Sequence, residues 1–168
     1  LDPHRASAQL IWFTFGWLEY SFPINLSPGQ RISSLSVTSE ICSEFPGFRT
    51  DWPSDITLWV EGVDLGTWRS PGDMGGVRGH YTPAWWNLEN TQYGYLKEWR
   101  VTESGTYLDG SLLSSVTLAD LGPAEATKIS VCIGVRENAD NRGGMNLFGR
   151  KFGNHAQDVV LRAELEQG

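Results

Sequence analysis

The sequence is poor in the groups that most chemistry requires, with two cysteines and three histidines among 168 residues. Cys42 and Cys132 have no Cys-x-x-Cys spacing, which removes the usual signature of zinc or dithiol redox sites. Each instead falls in a strand-like run, where a small buried thiol is common. His4, His80 and His155 lack metal-ligand spacing, and Gly-x-Ser-x-Gly, His-Glu-x-x-His and Gly-x-x-x-x-Gly-Lys are all missing. Neither catalysis, a cofactor nor a metal site is therefore expected. Cations are scarce too: 13 Lys and Arg against 20 Asp and Glu leave a net charge of -7. Binding nucleic acid needs a basic cluster that displaces counterions, so the chain is not expected to hold DNA by itself. Long apolar runs are also absent. A membrane helix needs about 20 apolar residues, and Leu10 to Leu18 is too short and too amphipathic for that or for a signal core. Because the first residue is Leu and not Met, the chain is expected to begin at a cut inside a longer protein or after a removed segment.

What is present alternates with a period of two. Ile129, Val131, Ile133 and Val135 share one strand face, as do Val159, Leu161, Ala163 and Leu165. Strands are predicted at Leu10 to Phe15, Trp17 to Phe22, Ile32 to Ile41, Trp99 to Tyr107 and Leu112 to Leu118. Ile56 to Trp68 reads as a hairpin turning at Glu61-Gly62, and Leu108-Asp-Gly-Ser111 reads as a second turn. A helical turn at most is predicted at Leu118 to Leu121. Many short strands with turn signals predict one all-β domain, an antiparallel two-sheet β-sandwich of jelly-roll type.

Six of the eight tryptophans fall between Trp52 and Trp99. Two long loops, Ser70 to Tyr95 and Glu137 to Gln157, are rich in Gly, Pro and Asn but also aromatic, which argues for function over disorder. Aromatic rings beside amides, acids and cations match a sugar, whose C–H face stacks on a ring and whose hydroxyls take hydrogen bonds. The candidate platforms are Trp52, Trp85, Trp86 and Tyr93. The candidate polar partners are Asp51, Asp55, Arg78, His80, Lys97, Asn146, Arg150 and Asn154. Other roles compete. Trp59 and Trp68 are expected in the core. Of Trp85 and Trp86, one is expected to pack and the other to be exposed, since neighbours in an extended segment face opposite ways. Asp51 and Asp55 read equally as turn caps. Asn146 either bonds the loop backbone or faces a ligand, while Leu147 and Phe148 anchor the loop. Apolar residues of both parities at Leu10 to Phe15 and Trp17 to Phe22 suggest a partner surface or a central strand.

Several runs also carry a resemblance. Phe48-Arg-Thr-Asp-Trp-Pro-Ser-Asp-Ile56, Gly66-Thr-Trp-Arg-Ser-Pro-Gly-Asp73, Thr91-Gln-Tyr-Gly-Tyr-Leu-Lys97 and Gly144-Met-Asn-Leu-Phe-Gly149 occur in order, followed by Phe152-Gly-Asn154 and Gln157-Asp158. Together they resemble the C-terminal part of bacterial transcriptional regulators with an ArsR-type winged-helix DNA-binding domain. The resemblance implies a cytoplasmic, dimeric effector domain that reaches DNA only through a winged helix lying outside this chain. More weakly, Val60-Glu-Gly-Val-Asp-Leu-Gly66 resembles galactose-binding-like jelly rolls of glycosidases. The expectation is a non-catalytic domain sensing a small molecule, a sugar or oligosaccharide. A carbohydrate-binding module of a glycosidase and a purely structural dimerisation domain are the alternatives.

Overall fold

The computed structural model describes residues 7–122 and 127–167. Leu1 and His4, with the expectations drawn from them, lie outside the described residues. Eleven strands follow one another: β1 (Leu10–Phe13), β2 (Gly16–Pro23), β3 (Gln30–Cys42), β4 (Ser54–Val60), β5 (Val63–Ser70), β6 (Tyr95–Thr102), β7 (Gly105–Leu108), β8 (Ser111–Ser114), β9 (Lys128–Val135), β10 (Met145–Phe148) and β11 (Val160–Gln167). Leu118–Leu121 forms a single 3-10 turn. No helix among the described residues is long and apolar enough to cross a membrane.

The strands form two antiparallel sheets, as the alternation predicts. One runs β1-β10-β3-β6-β7-β8, with β11 also on β3; the other runs β2-β9-β4-β5. Successive strands change sheet repeatedly, which gives the sandwich its jelly-roll character. Thirteen-residue β3 organises the larger sheet: β11 pairs with its first part, β10 with its end, and β6 along its other edge. The inward parity of each strand builds the core. Leu35, Val37 and Ile41 of β3, with Trp99 and Val101 of β6, face Ile56, Leu58 and Val60 of β4 and the four branched residues of β9. Fully burying each such aliphatic side chain contributes about 1.5–3 kcal/mol, which holds the sheets together.

The turns are those read from the sequence. Glu61 and Gly62 have φ of 49° and 76°, and Asp109 and Gly110 have 48° and 83°, the left-handed pair that a tight hairpin requires. Four expectations need correction. Trp99 to Tyr107 is not one strand, because the chain reverses between Thr102 and Gly105, which pair with each other. The strand predicted to run to Leu118 ends at Ser114. Within the second long loop, Met145–Phe148 is a strand between β1 and β3; its four residues are too few to show a period. Trp59 is not a core residue. Its neighbours Leu58 and Val60 point inward, so its indole lies half-buried on the outer face of the smaller sheet. Trp68 does pack against the core, and Trp99 is the fully buried indole at its centre.

Apolar residues of both parities at the N-terminus arise because the chain changes sheets. Phe13 faces the core from β1 and Leu18, Tyr20 and Phe22 from β2, while Trp12 and Trp17 are left exposed.

Candidate functional site

The predicted loop residues are used mainly to fasten the loops. Cys42, Phe148 and Phe152 form a small second core on the outer face of the larger sheet, closed by Leu10 and Trp86. Trp86 stands edge-on to Phe152 at 5.3 Å and donates its indole N–H to the Thr91 carbonyl at 2.8 Å. Trp85 beside it is 78% exposed, so the pair divides as expected. Buried Asn146 donates to the Ser43 carbonyl at 2.7 Å, the backbone role. Arg78 donates to the carbonyls of Pro83 and Trp86, and Asn154 accepts from the His80 amide. The His80 ring meets Tyr81 edge-on. Arg150 pairs with Asp158. Trp52 packs edge-on against Phe45, with the Arg49 guanidinium 5.3 Å from its ring. Tyr93 bridges to Met74, Asp51 is exposed, and Lys97 pairs with Asp109 while lying 4.8 Å from the Trp68 ring.

Two buried carboxylates, neither singled out by the sequence, hold these loops. Glu40, fully buried on β3, accepts the backbone N–H groups of Gly94, Asn154 and His155 at 2.8–3.0 Å. Asp73 accepts from the Phe45 amide, the Thr91 hydroxyl and the Asn146 amide. Burial pushes its carboxyl up to about 6 although the Phe45 and Thr91 hydrogen bonds pull it down. Burial likewise raises the Cys42 thiol far above its ordinary value, leaving little reactive thiolate.

Trp86 and Asn146 line a cavity of about 180 Å³ beside these loops, and a wider concavity lies on the other side of the molecule. Period-two alternation puts Trp17 of β2, Cys132 of β9, Thr57 and Trp59 of β4 and Thr67 and Arg69 of β5 on the outer face of the smaller sheet. Register aligns Trp17, Gly134, Thr57 and Thr67 in one row across all four strands. Gly134 lies under Trp17: a Cβ there would meet the Gly16 carbonyl oxygen at 2.1 Å and the Trp17 Cβ at 2.9 Å. The missing side chain therefore lets β2 approach and leaves the floor low. Two pockets share this face. An apolar one of about 490 Å³ is lined by Phe15, Trp17, Trp59 and Cys132. A polar one of about 450 Å³ is lined by Asp55, Thr57, Thr67, Arg69, Asn138 and Asp140. Arg136 borders both, and the segment after β9 forms the wall.

The side chains of this groove are held in place. Arg136 pairs with Asp64 while its guanidinium lies 5.1 Å from the Trp59 ring. Thr57 and Thr67 share a hydrogen bond of 2.7 Å. Asp55 is not a turn cap. It accepts from Arg69 at 2.8 Å and from the Asn141 backbone and side-chain amides at 3.0 Å each. Burial raises its carboxyl, but the bonds from Arg69 and Asn141 outweigh this and hold it below its ordinary value. An indole that is 68% exposed at Trp17, a half-buried second indole and the exposed Thr67 thus line one open groove, with the buried Thr57 and the ionised Asp55 set into its floor. Chemically, such a groove offers apolar ring faces at one end and donors and acceptors at the other.

Of the sequence-predicted site residues, only Asp55 lines this groove. Trp17 falls in a run that reads as either a partner surface or a central strand, and Trp59 reads as a core residue. The alternation Ile56, Leu58, Val60 already places Trp59 outward, but the general tendency of indoles to be buried outweighs that signal in a sequence reading.

No protein-family description matches the chain, and neither does any curated protein. Among solved structures, the crystal structure of an insecticidal delta-endotoxin from Bacillus thuringiensis is similar over 96% of this chain, with 13% identity and a TM-score of 0.45. The chain spans 20% of that toxin's length.

Proposed function

We propose that the domain recognises a saccharide without transforming it, and that the recognition surface is the outer groove of the smaller sheet, not the long loops. The observation that carries this is the pairing of two indoles, Trp17 and Trp59, with the exposed Thr67, Asn138 and Asp140 in the polar half of the same groove. Stacking on the indoles and hydrogen bonding to hydroxyl, amide and carboxylate groups are the two interactions a sugar ring needs. Hydrolysis of a glycosidic bond needs a carboxylic acid that stays protonated to donate to the leaving oxygen. Asp55 is held ionised, and the buried Asp73 lies beneath the loops, which favours binding over catalysis. In a winged-helix regulator of the kind the sequence runs resemble, a sugar bound here would act by differential affinity for two arrangements of a dimer, so shifting DNA binding.

Calorimetry of the intact protein against a panel of mono- and oligosaccharides tests the reading. Binding of at least one sugar, weakened about tenfold by Trp17→Ala, is the expected result. A folded protein giving no heat with any sugar refutes it.

A further inference from the structure

The groove also carries information on which saccharides it accepts, an inference that rests on the saccharide reading above. We propose that it takes an extended, uncharged glycan lying across the strands, from the Trp17 and Trp59 half to the Asp55 and Arg69 half, and that it rejects chains bearing uronate or sulfate.

Extent is the first argument. The two pockets meet at Arg136 and together open over four strands. With neighbouring strands about 4.8 Å apart, that crossing is about 14 Å, longer than a single sugar ring. The halves differ in kind: indoles dominate one, hydroxyls and a carboxylate the other. A ligand that uses both must therefore be a chain whose successive units meet different surroundings.

Charge is the second argument. Four carboxylates, Asp55, Asp64, Glu137 and Asp140, stand in or beside the groove against three guanidinium groups, Arg69, Arg136 and Arg142. Arg69 is engaged with Asp55 and Arg136 with Asp64, and Arg142 is tied to the Glu137 carbonyl. An anionic sugar would have to break one of these pairs or lie against the surplus carboxylates, inside a protein of net charge -7. Neutral hydroxyls, in contrast, can donate to those carboxylates without repulsion.

The test is calorimetry on the intact protein at low salt, where surface electrostatics is least screened. The probes are hexamers of glucose, mannose, xylose and galacturonate, together with the dimer of each neutral sugar. A neutral hexamer binding at least tenfold more tightly than its own dimer and at least tenfold more tightly than the galacturonate hexamer is the expected result. Asp140→Asn should narrow the second difference, and Trp17→Ala should weaken the neutral hexamer. Galacturonate binding as well as the best neutral hexamer, in a Trp17-dependent way, overturns the charge inference while leaving the saccharide reading intact. Dimers binding as well as hexamers overturn the extended-chain inference in the same sense. No heat from any probe, with the β-sheet circular dichroism preserved, overturns the saccharide reading and this inference with it.

Discussion

Replacing Asp73 by Asn should make the protein more stable at neutral pH and flatten its stability between pH 4 and 6. Asp73 is fully buried, and its carboxyl is pushed from the ordinary 3.8 up to about 6 by that burial. Across that window the folded state keeps a proton that the unfolded chain has released. Stability therefore falls as pH rises, and above pH 6 the ionised carboxylate costs about 3 kcal/mol of folding free energy. An asparagine can keep its oxygen where Oδ2 now accepts from Phe45, Thr91 and Asn146. Its amide then takes the position of Oδ1, 3.8 Å from the Cys42 sulfur. The variant thus retains the acceptor that the loops depend on and loses the charge. Urea unfolding followed by tryptophan fluorescence at pH 4 and pH 7.5, for both proteins, gives the difference directly. We expect Asp73→Asn to gain about 1–3 kcal/mol relative to the parent at pH 7.5 and to change little at pH 4. A variant less stable than the parent at pH 7.5, or a parent whose stability relative to the variant does not fall between the two pH values, refutes the reasoning.

Leu58→Ala should cost about 2–5 kcal/mol, because Leu58 is fully buried at the centre of β4 between β5 and β9; the urea midpoint measures this. Glu40→Gln places a donor amide against the Gly94, Asn154 and His155 N–H groups. It should cost about 1–3 kcal/mol for each donor left unpaired and should accelerate hydrogen exchange at those three amides, with the core strands keeping their protection. Asp55 works with the opposite sign to Asp73. Its carboxyl is held low, so its contribution is complete above the ordinary carboxylate range and is lost as pH falls through its lowered value. Asp55→Asn should accordingly make acid unfolding less steep, as a pH titration of circular dichroism would show.

The sandwich is legible in the sequence because each long strand buries one parity, and β9 and β4 display this without interruption. Both left-handed turns are legible for a similarly local reason, since Glu61-Gly62 and Asp109-Gly110 carry the residues that such turns favour. The Trp85–Trp86 division follows from adjacent residues facing opposite ways. What escapes a sequence reading is long-range. Asp55 owes its state to Arg69 and to Asn141, 86 positions away, so it reads locally as a turn cap. Glu40 looks like a solvated strand residue until loops from two distant parts of the chain cover it. Met145–Phe148 is too short, and too closely flanked by glycine, to announce itself as a strand. The groove is hidden for a further reason. Trp17, Thr57, Thr67 and Arg136 become neighbours only through the register of four strands, whereas of the tryptophans that cluster in the sequence only Trp59 reaches the groove; Trp68 and Trp99 belong to the core, Trp52 and Trp86 pack on other aromatic rings, and Trp85 is exposed.

The most direct measurement is the binding of a neutral oligosaccharide to the parent protein, Trp17→Ala and Trp85→Ala. Both indoles are largely exposed, at 68% and 78%, so neither substitution should disturb the fold. Removing a stacked ring that covers about 50 Å² of a sugar forfeits about 1.3 kcal/mol, or roughly tenfold in affinity. That loss is expected for Trp17→Ala, and unchanged affinity for Trp85→Ala. Loss of binding with Trp85→Ala, and parent-like affinity with Trp17→Ala, would contradict the groove assignment and return the site to the long loops.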